Sequence, residues 1–587
     1  MARPGQAGPA LGEFLTALHD RWRSMSRDEL VAVLGTHAER LPVRERQAFL
    51  DIFVGPGADA APTAPGRRVG VDLMARIAAF KARVAAGEYA GDDDGGYHWD
   101  GYGWADEESA AWVPDAESLF ADIGDVFVAG DLVAARTAYE SLLEPFLRGG
   151  DDDWPLELWQ LESTDVPEMV ARYVRCVYET TPADQRVDAV LRAFLELPEE
   201  RALSLAEVSA TRVDALPDLD AFLPGWIVGL LTASGFPSVR DEVRLLAEAA
   251  AMHGGADALA DLARRPGRHQ GGIGVVWIDA LTAGGCLSDA RAAAEEVIDL
   301  PGVEAVQRAK AADRLAHLLG HEGDTSAAVT ARRRAWTTHP TRARLLALAA
   351  TCQGAGVLVQ TLAAEADALE LAWTSSGRTG PDRLGCELLL LAGRLDAAIA
   401  ALTDASPLGW HHAVHPGPVV LPFLWAAATG TAPLAGDGHL GQLYADIDLD
   451  PAALPRPEDW SGWDGTPSRP PDHSQRPEPA EPTLTGLLAD AIGRLRDDAG
   501  AREEWLVIAG AVSDARIAAI VTGKHRGAYA RAAALAYAHA EALAKMGKQR
   551  QAHDHLAAVR ARYPRHSAFR GEFDAAATSS TLRARAT

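Results

Sequence analysis

Apolar positions in this chain recur at helical rather than strand spacing almost from end to end. Leu11, Phe14, Leu15 and Leu18 share one helical face, and Leu30, Val31, Val33 and Leu34 follow Ser26 and Glu29, whose spacing is that of a capping box opening a helix at Arg27. Leu73, Ile77, Phe80 and Val84 predict an amphipathic helix over 70–86, and Leu119, Phe120, Ile123 and Phe127 predict another after Asp115. Residues 165–430 read as nearly continuous helical hairpins broken by Gly and Pro, with turns near Pro182, Gly235–Pro237, Gly254–Gly255, Pro266–Gly267, Gly284–Gly285, Pro301–Gly302, Gly323, Pro340, Gly377–Pro381, Gly393 and Pro407. Beyond residue 484, Leu487, Ile492 and Leu495 share a face, and further helices are predicted over 515–522, 529–544 and 552–562.

One short pattern marks the turns. Gly-x4-Ala-x3 occurs as Gly130/Ala135/Tyr139, Gly285/Ala290/Ala294, Gly323/Ala328/Arg332, Gly393/Ala398/Leu402 and Gly547/Ala552/Leu556. A Gly ends one helix, a small Ala lets the next pack closely, and the residue one turn on fills the groove. Gly285 and Gly323 are 38 residues apart and Gly323 and Gly393 are 70 apart, about two repeats of ~35. The expected fold is all-α: an α-α solenoid of degenerate tetratricopeptide-like hairpins, followed by a Pro-rich linker and a C-terminal helical unit.

Two stretches break the helical pattern. Residues 90–113 combine Asp92, Asp93 and Asp94 with Tyr97, Trp99, Tyr102, Trp104 and Trp112 and have no period, which predicts a loop or a disordered segment. Nine prolines fall between Pro451 and Pro482, which predicts an extended linker. The expected divisions are an N-terminal helical unit over 1–89, an acidic aromatic loop over 90–114, a solenoid over 115–450, the linker over 451–483, C-terminal hairpins over 484–575 and a tail over 576–587.

Charge sharpens this layout. Between Arg83 and Arg172 there are 22 acids and two bases, a local net of −20 in a chain whose whole net is −26. Such a segment repels phosphate, so direct nucleic-acid binding is not expected; it suits a basic protein, with Asp92–Asp94, Tyr97, Trp99, Tyr102, Trp104 and Trp112 as partner-binding residues. It offers oxygen ligands for calcium but lacks the EF-hand spacing. A mild opposite patch, Lys524, His525, Arg526 and Arg531, stands in the C-terminal unit, so the two ends have the charges for self-association. His525 is also placed to cap the helix before it.

Chemical motifs are few. His411 and His415 are four apart with His412 between, the spacing that would aim two imidazoles together on a helix, but Gly409, Pro416 and Pro418 make the stretch a loop, and the zinc-protease Glu is missing. His411, His412 and His415 are therefore weak metal candidates, and no cofactor is expected. His553 and His555, two apart, are expected on the surface. Gly271, Gly272 and Gly274 lack the GK[ST] of a phosphate loop and read as a turn between helices. Cys176, Cys286, Cys352 and Cys386 are too scattered for a disulfide framework and read as free core thiols. No apolar leader and no run of ~18 apolar residues is present, so a soluble cytoplasmic protein without a membrane span is expected.

The segment WHHAVHPGPVVLPFL over 410–424, the helices from Ala515 through ARIAAIVTGKHRGAYARAAALAYAHAEAL into AKMGKQRQAHDHLAAVRARYPRHSAF, and the opening SRDELVAVLGTHAERLPVRERQAFL together resemble uncharacterised bacterial helical-repeat proteins, some relatives of which carry a SWIM-type zinc finger. The resemblance touches about a third of the chain and implies an α-solenoid with a binding role. The close C-x-C of the finger is absent here, so no zinc site carries over. The leading expectation is a protein-binding scaffold or adaptor rather than an enzyme. The alternatives are a metal-binding or enzymatic protein centred on His411, His412 and His415, and a regulatory or defence-system module whose acidic region mimics nucleic acid.

Overall fold

The computed structural model describes Arg21 and residues 66–89, 111–147, 156–196, 203–233, 238–376, 381–449, 482–495 and 498–582. Among them there are 23 α-helices and no strand, as the 3.6-residue period requires. The chain divides into two compact units, residues 1–280 and 281–587.

In the first unit, α1 (Gly66–Ala85) buries Leu73, Ile77 and Phe80 against α2 (Val113–Val128) and α3 (Leu132–Leu147). α4 (Val166–Thr180) packs on α3, α5 (Arg186–Glu196) and α6 (Leu205–Ala210); α7 (Leu219–Thr232) lies between α5 and α8 (Val239–Arg264). Helix α8 is broken at Gly254–Gly255, where the expected turn lies, with Gly255 at φ +59°. Gly271, Gly272 and Gly274 are not a turn but sit inside α9 (Gln270–Ala283). A Cβ on Gly272 would stand 2.8 Å from Val243, so the glycine is needed for close helix approach.

The second unit runs through α10 (Leu287–Asp299), α11 (Ala305–His321), α12 (Thr325–Thr338), α13 (Arg342–Gly354), α14 (Leu358–Ser376), α15 (Arg383–Leu391), α16 (Leu395–Asp404), α17 (Gly417–Thr429) and α18 (Gly438–Ala445). It continues with α19 (Leu484–Arg494), α20 (Ala499–Thr522), α21 (Tyr529–Lys545), α22 (Gln549–Arg562) and α23 (Ser567–Ser579). Up to α16, successive helices pack on their neighbours. The helices after residue 481 then return: α20 packs on α17, and α21 on α18, in one core that runs from Val329 to Phe573. The helices after residue 481 thus share one core with helices before residue 450, and the boundary between the two compact units falls at residue 280. By length and composition α20 could cross a membrane, but here Leu506, Ala509, Ile517, Ile520 and Val521 are buried in that core.

The Gly-x4-Ala pattern has one backbone meaning at all five places. Gly130, Gly285, Gly323, Gly393 and Gly547 have φ of +75° to +87°. In each turn the Gly N–H bonds back three residues and the next N–H bonds back five, as in Gly323 N–H to Gly320 O and Asp324 N–H to Leu319 O, the Schellman closure. The residue after each Gly starts the next helix, and Ala135, Ala290, Ala328, Ala398 and Ala552 are buried where the two helices meet. Gly356 closes the same way but has Thr361 at the Ala position, so the pattern passes over it. With it the turns at 285, 323, 356 and 393 fall 38, 33 and 37 residues apart.

Lys524 closes α20 with the same two bonds, Lys524 N–H to Val521 O and His525 N–H to Ile520 O, but at φ +58° with a side chain that disfavours that region. Lys524→Gly is therefore expected to stabilise the second unit by about 1 kcal/mol and Gly323→Ala to cost about as much. Urea melts of the two variants check this, and equal signs would refute it.

Candidate functional site

In the first unit the acidic aromatic segment is fixed on both sides. Tyr89 donates its hydroxyl to Asp115 at 2.7 Å, Arg83 donates to the same oxygen at 2.6 Å, and the Arg83 guanidinium lies 4.5 Å above the Tyr89 ring. The Tyr89 hydrogen bond and Arg83 hold Asp115 below the usual carboxylate range, while burial and Asp115 push the Tyr89 hydroxyl up to about 12. On the far side, Trp112 is 4% exposed and meets Phe146 edge-on at 5.5 Å. Trp112 is thus a core residue at the start of α2 and not a surface anchor, which corrects its place among the partner-binding residues. Asp92, Asp93, Asp94, Tyr97, Trp99, Tyr102 and Trp104 lie outside the described residues.

Much of the surrounding acidity is compensated. Arg76 pairs with Asp122 and Lys81 with Glu144, so the basic side of α1 covers carboxylates of α2 and α3. Asp165 caps α4, and Glu168 pairs with Arg172. What remains concentrated is residues 90–110, with seven acids and no Lys or Arg.

In the second unit the histidine loop is held by Arg516, a residue far from it in sequence. This arginine, on α20, donates to Pro407 O at 2.8 Å, and its guanidinium lies 4.0 Å over the Trp410 ring. Burial and the nearby Arg531 lower it to about 10. Arg531 is exposed in the first turn of α21, and Lys524, His525 and Arg526 are exposed in the turn just before it. The His525 side chain stands against Gly523, while its backbone N–H makes the helix-closing bond.

The three histidines of the loop do different things. His411 and His412 are exposed with ring centroids 4.1 Å apart. His415 is buried, and its Nδ1 accepts the Gly417 N–H at 3.0 Å. An N–H can only donate, so the His415 proton sits on Nε2, which donates to Ser406 O at 2.8 Å. Both ring nitrogens are thus engaged by backbone. Burial holds the ring below the ordinary histidine range, and protonating Nδ1 would set two N–H groups against each other. His415 therefore acts as a pin for the start of α17, and the i, i+4 spacing does not aim it with His411 at one point. Among the described residues no group of three His, Cys, Asp or Glu is placed to hold a metal.

Some polar residues left unread in the sequence are central here. His539 is buried, accepts the Trp425 indole N–H at 3.2 Å and meets His555 edge-on at 4.8 Å. His555 therefore faces inward, unlike the surface position expected of it, while His553 is exposed. Glu541, 1% exposed, accepts Leu440 N–H, Ser580 Oγ–H and Thr581 N–H, and so ties the start of α18 to the end of α23. Cys176, Cys352 and Cys386 are buried thiols, with Cys176 and Cys386 pushed up by burial; Cys286 departs from the expected core position and is exposed at the start of α10. No protein-family model and no curated protein matches this chain.

Proposed function

We propose that the chain is a cytoplasmic scaffold or adaptor that holds a protein partner on a tetratricopeptide-like array of helical hairpins. The observation that carries this reading is the recurrence of one turn, with a left-handed Gly and the same pair of closing bonds, at intervals of 38, 33 and 37 residues. Stacked hairpins of that length present extended surfaces assembled from many small contributions. Partner choice falls to residues 90–110, whose seven acids and five of whose aromatic and histidine neighbours stand between two fixed residues, Tyr89 and Trp112. A basic protein fits that charge. Four free cysteines, three of them buried, fit a reducing compartment.

Replacing residues 91–110 by a Gly-Ser linker of equal length tests the reading, because Tyr89 and Trp112 are kept. The intact chain is expected to capture a basic protein from native lysate at low salt and release it at high salt. The replaced chain is expected to capture none while keeping its helical circular dichroism. Undiminished capture would refute the role of the segment.

A further inference from the structure

We propose that His317 and His321, exposed at the C-terminal end of α11, chelate one divalent transition-metal ion through their Nε2 atoms. The two stand four residues apart in the run His317-Leu318-Leu319-Gly320-His321, and their Nε2 atoms are 3.1 Å apart. An ion held about 2.0–2.1 Å from each of two imidazole nitrogens, with about 90–110° between the bonds, sets those nitrogens about 2.8–3.4 Å apart. The observed separation lies inside that window. Two N–H groups cannot face each other so closely, so at least one Nε2 presents a lone pair; with the ring protons on Nδ1, both do.

The helix fixes this spacing. Ala316, Leu318 and Leu319 are buried, and Ala316 and Leu319 pack with Ala328 and Ala331 of α12. The turn after His321 is closed by Gly323 N–H to Gly320 O and Asp324 N–H to Leu319 O. The backbone under both rings is therefore held, while the rings themselves are exposed. They meet edge to face at 79°, so binding asks for side-chain rotation and no change of backbone. The place also suits a cation, because the pair occupies the carbonyl end of a 17-residue helix. Imidazole nitrogens take zinc, nickel or copper, whereas magnesium and calcium take oxygen ligands. Among the described residues no third His, Cys, Asp or Glu completes the set, so water fills the remaining positions. His411 and His412, adjacent in a loop, have no helix to set their nitrogens in this way. The pair lies within residues 281–587, so the replacement of 91–110 leaves it in place.

The test uses the full chain without a histidine tag, at about pH 7.5, where exposed imidazoles are neutral. Zn2+ is titrated calorimetrically with Mg2+ as control, and Cu2+ at one equivalent is read by electron paramagnetic resonance, which counts the bound nitrogens. Zn2+ is expected to bind and Mg2+ not, and the copper signal is expected to show two imidazole nitrogens. His317→Asn and His321→Asn, each an exposed change whose fold is checked by circular dichroism, are expected to weaken Zn2+ at least tenfold and to remove the two-nitrogen signal. The double change His411→Asn and His412→Asn is expected to leave both readings as they are. Absence of Zn2+ binding to the intact chain, or binding that survives His321→Asn, overturns the proposal. So does loss of binding on changing His411 and His412, which would assign the ion to the histidine loop.

Discussion

Glu387→Ala is expected to destabilise the second unit by about 3–5 kcal/mol, the usual cost of leaving buried charges unpaired. Glu387 is 1% exposed and stands between two arginines. One of its oxygens accepts from Arg342 and from Arg383 Nε at 3.3 Å, and the other accepts Arg342 Nε at 3.1 Å. The two guanidiniums reach onward to the same backbone: Arg342 to Ile447 O at 2.9 Å and Leu449 O at 3.1 Å, Arg383 to the same carbonyls at 3.4 and 3.3 Å. Because Arg342 opens α13 and Arg383 opens α15, one carboxylate fixes two helix starts and the turn that precedes residue 450. Without it, two cations stay in the core without the carboxylate they share. Replacing all three residues together by apolar ones of like volume is expected to cost far less, since no charge is then stranded. Chemical denaturation of the two variants compares the effects, and a loss below about 1 kcal/mol for Glu387→Ala would mean that solvent reaches the triad.

What the sequence made legible follows from which interactions are local. The Gly-x4-Ala pattern was readable because both positions answer to backbone geometry within a few residues: a left-handed φ at the Gly and a close approach at the Ala. Gly356 escaped only because Thr361 takes the Ala position, and the turn at Lys524 because a lysine occupies the left-handed place. The packing partners of the C-terminal helices were not legible, since an apolar face does not say which other face covers it. The Pro-rich composition of 451–482 suggested a linker but could not tell that α17, α20 and α21 share one core. The chemistry of the histidine loop was missed for the same reason. Spacing put His411 and His415 in register, whereas the fold gives His415 to backbone groups at Ser406 and Gly417. A signal was nevertheless present: Arg516, Glu387 and Glu541 are single charges set in apolar runs, ARIAAIV, CELLLL and YAHAEALA. A charge that an apolar helix carries into its core needs a partner from elsewhere.

The second unit is expected to lose stability as the pH falls below about 6.5, with His539 the largest single cause. Trp425 on α17 donates to its Nδ1, Gly510 on α20 leaves so little room that a Cβ would stand 2.8 Å from the ring, and His555 on α22 closes the remaining side. Asp514 and Arg562 act on His555, and among the described residues no carboxylate draws His539 toward its protonated form. Burial and then His555 hold it at about 3. A proton on Nδ1 would also face the indole N–H, donor against donor. The sign follows from comparing the two states: the unfolded imidazole takes a proton near pH 6.5, and the folded one takes it only near 3. The stabilisation is therefore complete above about 6.5 and is lost on acidification at about 1.4 kcal/mol per pH unit until the folded group itself titrates. Between pH 7 and pH 4.5 that amounts to about 3 kcal/mol from this residue. His415 and His555, both held low by burial, add to the same slope. His539→Asn keeps an acceptor for Trp425 and removes the titration. It is expected to cost stability at pH 7.5, where the imidazole packs better, yet to flatten the fall between pH 6 and pH 4 by about the contribution of one group. Urea midpoints across that range measure both effects, and an unchanged slope would assign the acid lability to other groups. Because Trp425 lies on α17 and His539 on α21, loss of this contact loosens the joint through which the helices after residue 481 meet those before residue 450.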